Sequence, residues 1–518
     1  MARLAGSNFN TDTYYDHSQG IDRRYPYNSP EYPSGALWEA QNMVYLRDNE
    51  NPEKMRGYAR LGSTDMGGTI SGLFDYQDGT RLIASATDGK IYERSSADFA
   101  QATNGTGFNT GGDVRWAGGM FYSGTSTASV LVISNGVDSP KKYTSGAGVA
   151  ALGGSPPATG KFFVSWLGRA VLAAGDTLYF SRVNDCEQWG VSNGGFEIQI
   201  DRGSGDITGL ADFAEYLIIF KRNKILVMSP DTSFTVSDAT TINSTIGTPA
   251  HATIKEASSY SGAQLFFMSD QGISSLVPTS ATGKFFVRNV SPQVKPVLDN
   301  VAKGKMATAW SDFNQDRLEY MASYGTNTTA IVEGVLANVA RGGRYPRWTR
   351  HNMQGMTAGT RYRDDGAETQ LIGDSKGRVY TLHSGDTRNG GSYKGSVTTQ
   401  GYPQGAPGHL KTYNRFFTDV TTEGQYNITI KAALGRTDMP APSAESTTKS
   451  FGGGDGWGQG EWGVAEFGGS ATSGKWIRLG TIRRGHYIRM IVETTATDSW
   501  FGLNGFMTEA TLAASRLA

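Results

Sequence analysis

Short apolar runs separated by tight polar corners constrain this chain more than any other feature. In residues 207–229, the runs LIIF (217–220) and ILVM (225–228) flank the polar corner KRNK (221–224). Apolar runs of this length are too short for helices and match strands that are buried on both faces. A tight polar corner between two such runs predicts a β-hairpin.

The same unit recurs along most of the chain. Its central strand starts near residues 82, 130, 170, 217, 265, 318 and 371, at spacings of 48, 40, 47, 48, 53 and 53 residues. Repeats of this length with strands and glycine corners are typical of a β-propeller, in which each four-stranded blade buries its faces against its neighbours. We therefore predict an all-β protein with a propeller of about seven blades, six to eight being the range that two weaker units allow.

Changes in this pattern divide the chain into four segments. We predict an N-terminal arm and capping segment over residues 1–62, a β-propeller over 63–385, a linker over 386–408 and a C-terminal antiparallel β-sandwich over 409–518. The first segment holds extended X-Pro pairs and either contacts a partner or packs as a cover on the main domain. In the last segment, period-two alternation indicates strands with one wet face: Tyr426, Ile428, Ile430, Ala432 and Leu434 share one side.

The sequence carries few features of an enzyme. Its six histidines have no metal-ligand spacing, its single cysteine is Cys186, and it lacks phosphate-binding and nucleophile-elbow motifs. We predict no enzyme activity, no catalytic residue, no cofactor and no metal site. The enzyme alternative is a propeller glycosidase, which would gather carboxylates around the central axis. The backbone conformation of a tight turn is enough to explain Asp-Gly corners such as Asp88-Gly89.

Two groups of residues are candidate partner contacts. A glycine-rich stretch over 451–463 carries Trp457 and Trp462, which either anchor an interface or fold back onto the sandwich. Arg344, Arg347, Trp348 and Arg350 form a basic cluster with aromatic neighbours. Such a cluster contacts nucleic acid through phosphate pairing and stacking, or it is a solvated face or a set of ion pairs between subunits, which we favour.

The net charge and the hydropathy of the chain narrow the class of protein further. The 48 basic and 48 acidic residues cancel, so the overall charge does not indicate a nucleic-acid binder. The same balance does not exclude a channel that lets DNA pass without binding it tightly. The N-terminal residues lack the apolar core of a secretory signal, and no run approaches the roughly 18 apolar residues of a membrane helix. We expect a chain that folds in a cytoplasm and does not insert into a membrane.

The order of parts resembles a family of viral proteins. The quoted stretches are AQNMVY (40–45), RGYARLG (56–62), WIRLGTIRRG (476–485), and the unit from Leu167-Gly168-Arg169 through Ser181-Arg182 to the turn at 185–189. In this order, around a propeller-like array, they resemble the tail hub or nozzle proteins of short-tailed bacteriophages, also called packaged-DNA stabilisation proteins.

This resemblance implies a structural function and a set of partners. Members of that family would form a six-fold homo-oligomeric ring below the portal and adaptor rings, enclose a channel for transient passage of phage DNA, and carry tail fibres or spikes. The expected location is the tail of the virion, with assembly in the host cytoplasm. The alternative is a propeller-type tail protein that degrades glycans or binds a host receptor.

Overall fold

The computed structural model describes most of the chain. The described residues are 10–46, 49–77, 79–94, 98–123, 129–230, 239–259, 262–279, 284–325, 332–339, 346–353, 355–364, 367–403, 408–422, 426–435, 443–451, 471–478, 484–495 and 500–512.

The described residues are organised almost entirely as strands. Six short strands come first: β1 (Asn10–Tyr14), β2 (Gly20–Ile21), β3 (Ala36–Gln41), β4 (Met43–Val44), β5 (Glu53–Lys54) and β6 (Tyr58–Arg60). Sheet A follows with β7 (Ile70–Tyr76), β8 (Arg81–Ala86), β9 (Lys90–Arg94) and β10 (Phe99–Gln101). Sheet B has β11 (Ala117–Phe121), β12 (Val130–Ser134), β13 (Lys141–Thr144) and β14 (Gly148–Ala151). Sheet C has β15 (Phe162–Trp166), β16 (Arg169–Ala174), β17 (Thr177–Phe180) and β18 (Phe196–Gln199).

The pattern continues through four more antiparallel groups. Sheet D has β19 (Ile207–Phe213), β20 (Tyr216–Lys221), β21 (Lys224–Met228) and β22 (Ala239–Asn243). Sheet E has β23 (Lys255–Ser259), β24 (Gly262–Ser269), β25 (Gly272–Pro278) and β26 (Phe285–Asn289). Group F has β27 (Trp310–Asn314), β28 (Glu319–Gly325), β29 (Val332–Asn338) and β30 (Arg347–His351). Sheet G has β31 (Met356–Asp364), β32 (Ala367–Asp374) and β33 (Val379–Leu382), with β6 as its fourth strand.

The remaining strands follow sheet G. They are β34 (Gly395–Thr399), β35 (Lys411–Thr422), β36 (Tyr426–Gly435), β37 (Ser443–Phe451), β38 (Ala471–Arg478), β39 (Arg484–Gly485), β40 (Tyr487–Thr494) and β41 (Phe501–Leu512). The helices are short: α1 (Lys295–Leu298) and 3-10 turns at Val191–Asn193, His251–Thr253, Pro292–Val294 and Lys303–Thr308. Within the described ranges, no helix has the length and apolarity needed to cross a membrane.

Each sheet buries both faces against its two neighbours. A separate cluster of buried residues lies between every successive pair of sheets, and one more joins G to A. One residue from each side of each cluster shows the order: Tyr76 and Ile133 (A, B), Phe121 and Phe163 (B, C), Val171 and Leu217 (C, D), Phe213 and Phe267 (D, E), Phe266 and Tyr320 (E, F), Met321 and Ile372 (F, G), Tyr362 and Leu82 (G, A). This succession of four-stranded antiparallel sheets is consistent with a β-propeller. The predicted all-β class is confirmed.

The chain completes sheet G with a strand from its other end. Tyr58, Ala59 and Arg60 of β6 pair antiparallel with Leu382, Thr381 and Tyr380 of β33. The pairing continues one residue beyond β6, where the Leu61 amide donates to the carbonyl of Val379, the first residue of β33, at 2.8 Å. At the β32–β33 corner, Gly377 has φ +77°, and a Cβ there would lie 1.9 Å from the Met66 carbonyl oxygen. Sheets G and A are therefore joined both by strand exchange and by a close backbone approach.

Group F extends without a break into the C-terminal strands. The ten-stranded sheet runs β27-β28-β29-β30-β2-β3-β34-β40-β36-β37. A second sheet runs β38-β35-β41-β5-β4, with β1 on β41 and β39 on β35. Both contribute to one buried cluster, which contains Ile430 and Met490 from the first and Phe416 and Leu503 from the second. The alternation predicted for β36 is confirmed at Ile428, Ile430, Ala432 and Leu434, which are all buried.

The predicted arm and linker both contain paired strands. β1 pairs with β41, β2 and β3 join the ten-stranded sheet, β4 and β5 join the second, and β6 completes sheet G. Residues 10–60 are therefore paired into the described sheets, and contact of this segment with a partner stays a prediction. The span 386–408 contains β34, whose Val397 is buried between Ala40 of β3 and Val492 of β40.

His17 ties the N-terminal segment to the second sheet. Its side chain is fully buried, its ring stacks on Phe506 of β41 at a centroid distance of 5.9 Å, and its carbonyl accepts the Tyr45 hydroxyl at 2.6 Å. Neither ring nitrogen has a hydrogen-bond partner among the residues that the structure describes. Burial lowers the pKa of His17 to about 4, against a weak opposing effect of Asp16.

Breaking the β6–β33 pairing should weaken the closure of the sheets. The Leu61 amide points at β33, so the Ala59 amide, two residues earlier, points the same way. Ala59→Pro removes that donor, and we expect it to lower the free energy of unfolding by about 2 kcal/mol or more. Ala59→Ser keeps the donor on an exposed position and serves as the control. Equal denaturation midpoints for the two variants would contradict the closure.

His17 should make stability depend on pH. The folded site stays neutral to about pH 4, whereas the unfolded side chain takes up a proton below its ordinary pKa of 6.5. This contribution is fully present above pH 6.5 and is lost as pH falls, at about 1.4 kcal/mol per pH unit. Urea denaturation at pH 7 and pH 5 measures how much free energy of unfolding is lost between the two pH values. This loss should be smaller in His17→Phe than in the wild type, by about 2 kcal/mol. His409→Gln, at an exposed histidine, should keep the wild-type slope; an unchanged slope in His17→Phe would refute the assignment.

Candidate functional site

The first strands of the sheets surround a central cavity. The cavity has a volume of about 440 Å³ and receives side chains from β7, β11, β15, β19, β23, β27 and β31, or from the residues just before them. A second cavity of about 340 Å³ adjoins it and shares Asp75, Lys255, Glu256 and Thr360. Every repeat unit therefore contributes residues to one site.

Aromatic rings form part of the wall of the central cavity. Trp116, Phe163 and Trp310 all line it and are almost fully buried. The Trp310 indole donates to the Met356 carbonyl at 3.1 Å, which orients the ring. Gly359 of β31 lies against that ring, and a Cβ there would be 2.3 Å from it. The wall at this point therefore requires glycine because the strand and the indole are in direct contact.

Charged groups of both signs line the two cavities. Burial, and then the nearby Glu256 and Glu215, raise the pKa of the Asp212 carboxyl. Burial lowers the pKa of Lys255, which Asp312 partly opposes. Among the described residues, neither Asp212 nor Lys255 has an ion-pair partner within 4 Å. Asp212 and Glu256 are nevertheless exposed and Lys255 is half-buried, so these charges remain in contact with solvent.

Asp312 is the most buried acid of the site. The residue lines the second cavity and is 2% exposed. Burial raises the pKa of this carboxyl, and Lys255, Arg361 and a hydrogen bond from the Gln370 side chain act in the opposite direction. Oδ2 is therefore enclosed by packed groups and is not open to the cavity.

The sequence contains a signal for these acids that pattern reading missed. Three of the first strands carry an aspartate directly before a buried aromatic residue: Asp75-Tyr76, Asp212-Phe213 and Asp312-Phe313. Because side chains alternate along a strand, the aromatic residue enters the core between sheets and the aspartate faces the cavity. The recurrence at one position of the repeat would have identified the inner face.

The structure places three of the six predicted contact residues. Trp457, Trp462 and Arg344 lie outside the described residues. Trp348 is fully buried in β30, and its indole donates to the Val290 carbonyl at 2.9 Å. Arg350 keeps part of its side chain exposed and pairs with Glu39 at 2.9 Å.

Arg347 is a packed residue of the junction between group F and the N-terminal segment. It is 5% exposed and donates to the carbonyls of Leu46 at 3.1 Å and Asn49 at 2.8 Å, and to Asn338 Oδ1 at 2.8 Å. The basic cluster therefore combines two buried side chains, Arg347 and Trp348, with a partly exposed one, Arg350. Partner contact through the cluster stays a prediction. Among the members that the structure describes, Arg350 has the partly exposed side chain.

Other chemistry at the described residues is sparse. No group of three His, Cys, Asp or Glu side chains in the described part of the chain is arranged to hold a metal ion. Cys186 is buried, and burial raises the pKa of its thiol to about 12, which disfavours the nucleophilic thiolate. His251 lines the central cavity and accepts the Leu210 amide on Nδ1 at 3.4 Å. Burial lowers the pKa of this imidazole to about 3, which keeps it neutral.

Comparisons with known proteins give little. No protein-family model matches the chain. No curated protein matches it either. Among solved structures, it is similar to Raptor of Chaetomium thermophilum, with 12% identity and a TM-score of 0.40 over 63% of this chain. The chain spans 29% of the Raptor chain. A TM-score this low does not establish a shared fold or function.

Two arginines of the basic cluster should differ sharply in their effect on stability. Arg347→Ala leaves two carbonyls and an amide oxygen without their charged donor in a buried site, and we expect a loss of about 3 kcal/mol or more. Arg350→Ala leaves Glu39 paired with Arg23, so the expected loss is about 1 kcal/mol or less. Chemical denaturation of the two matched variants measures the difference. Similar losses would contradict the packing role assigned to Arg347.

Proposed function

We propose that this chain is a structural protein of a virus particle, the hub or nozzle of a short-tailed bacteriophage tail. The observation that carries the proposal is the continuous sheet from group F to the C-terminal strands, because it couples the ring of sheets to the added domain without a hinge. The stretches on which the resemblance rests support it, since 40–45 and 56–62 overlap β3, β4 and β6, the strands that make these junctions.

The finer architecture belongs to the same proposal. The ring of sheets A–G is a seven-bladed propeller, which accounts for an apolar cluster between each pair of neighbours and for the strand exchange at β6. The C-terminal strands and the ten-stranded sheet form a β-sandwich whose inner faces meet around Ile430 and Phe416. Both features suit a part that transmits load, because every sheet is held on two sides.

The proposed assembly is a six-fold ring in the tail of the virion, formed in the host cytoplasm. Six copies would line a conduit for phage DNA, dock on an adaptor or portal-proximal ring, and carry tail fibres or spikes. The balance of 48 basic and 48 acidic residues suits a conduit, because a strongly basic lumen would retain the phosphate backbone. Function in this role requires stiffness and fit rather than catalysis.

A tail protein that binds or degrades glycans is the second candidate. The observation in its favour is the set of carboxylates at the central cavity, where burial and Glu256 raise the pKa of Asp212. Paired carboxyl groups of different pKa are the groups that glycoside hydrolysis uses. Release of reducing sugar from host polysaccharide by the isolated chain would favour this candidate over the first.

The hub proposal predicts both location and copy number. We expect gold-labelled antibody against the chain to decorate the tail of assembled particles, and quantitative mass spectrometry to give six copies per particle. The purified chain alone should stay soluble and show no turnover of host polysaccharide. Three copies in a fibre, or absence from the particle, would refute the proposal.

A further inference from the structure

We propose that a basic cavity beside sheet G binds the phosphate group of a small molecule, a function separate from the structural role proposed above. This cavity, here called the linker cavity, has a volume of about 490 Å³. Its lining includes Lys376 from the β32–β33 corner, Tyr58 from β6, and Arg388 and Asn389 from the span predicted as a linker. The site therefore lies where the N-terminal strand β6 and the chain after β33 meet sheet G.

Arg388 is a half-buried cation that neutral groups hold in place. Its Nη1 donates to Asn352 Oδ1 at 3.0 Å and its Nη2 to Asn42 Oδ1 at 2.7 Å, and its guanidinium lies 4.3 Å from the centroid of the Tyr393 ring. Among the described residues, no carboxylate pairs with it. Burial lowers the pKa of this guanidinium, an effect that Tyr58 and Tyr393 oppose. The fold thus fixes a charge that a bound anion would neutralise.

The cavity has donors available for such an anion. The Nε–H of Arg388 makes no hydrogen bond with a described residue, and this atom is not enclosed. The Ser375 hydroxyl and the Lys376 ammonium belong to exposed residues that line the same cavity. An oxyanion in the cavity would accept hydrogen bonds from these three groups, two of which are charge-assisted.

The acids near the cavity already have partners. Asp374 is the carboxylate of the lining. Its Oδ1 accepts the backbone amides of Lys376 at 2.8 Å and Arg378 at 2.9 Å, and its Oδ2 accepts the Tyr380 hydroxyl at 2.9 Å. The Arg378 side chain pairs with Asp65 at 2.9 Å. Three donors therefore offset the charge of Asp374, and Asp65 offsets that of Arg378.

Charge favours a phosphate over other anions. Lys376 and Arg388 are the cations of the lining that have no acidic partner among the described residues. A phosphate monoester carries a charge of about −1.5 to −2 at pH 7, which balances both cations, whereas a carboxylate would balance one. Tyr58 and Met356 add apolar surface to the lining, on which the organic part of an ester can pack. Inorganic phosphate offers the same charged group without that part.

Calorimetry with the full-length chain, at neutral pH and constant ionic strength, tests for binding. The probes are inorganic phosphate, deoxyadenosine 5′-monophosphate and glucose 6-phosphate, and deoxyadenosine and spermidine serve as comparators without phosphate. We expect a phosphate probe to bind and neither comparator to bind. Tighter binding of an ester identifies an organic phosphate as the ligand class, equal binding identifies free phosphate, and both results support the site. Failure of all the phosphate probes to bind folded protein would overturn the proposal.

Variants locate the binding site. Lys376→Glu reverses an exposed charge at the cavity and should weaken phosphate binding by about tenfold or more, because a charge-assisted hydrogen bond is replaced by repulsion. Arg388→Gln should have a similar effect, and its melting curve shows whether it is folded. Lys284→Glu makes the same charge change at an exposed residue just before β26 and should leave affinity unchanged.

The matched lysine variants decide the outcome. Unchanged affinity in Lys376→Glu, or an equal loss in Lys284→Glu, would refute the linker cavity as the site. Particle location and copy number test the hub role independently, so the two proposals can fail separately.

Discussion

The burial of two faces per sheet is the constraint on which this structure depends. A four-stranded sheet with apolar residues on both sides cannot be stable alone, because one face would stay in water. Here each sheet meets a neighbour on either side, and the cluster shared by G and A removes the last exposed pair of faces. The exchange of β6 into sheet G follows from the same need, since a strand from residues 58–60 fixes the two ends of the array together.

The N-terminal segment holds the molecule together at several points. Within about fifty residues it pairs with β41, joins the ten-stranded sheet, joins the second sheet and completes sheet G. Buried polar residues secure this route: Arg347 donates to the carbonyls of Leu46 and Asn49, and the Tyr45 hydroxyl donates to the His17 carbonyl. The segment couples the sheets to the C-terminal strands, so loosening it would disturb both. That coupling gives the hub proposal its mechanical basis.

The central cavity is a consequence of the same packing. The first strands approach from all sides but cannot meet at one point, so a space remains among them. Alternation along each strand decides its lining: aromatic residues such as Phe213 enter the clusters between sheets, and the preceding Asp212 turns inward. Burial among the packed strands raises the pKa of Asp312 and lowers that of Lys255.

Local patterns determined the class of this protein and the position of its strands. The second strand of each sheet begins within about four residues of the position that the apolar runs predict, as at β8, β12 and β20, because burial on both faces leaves a direct trace in four-residue apolar runs. Tertiary structure alone decided which distant strands pair. Nothing near Tyr58–Arg60 or Gly395–Thr399 indicates a partner hundreds of residues away, since every non-proline residue offers the same backbone donor and acceptor and strand preferences depend on context. For the same reason, the basic cluster looked exposed in sequence, while packing buried Arg347 and Trp348 and left Arg350 at the surface.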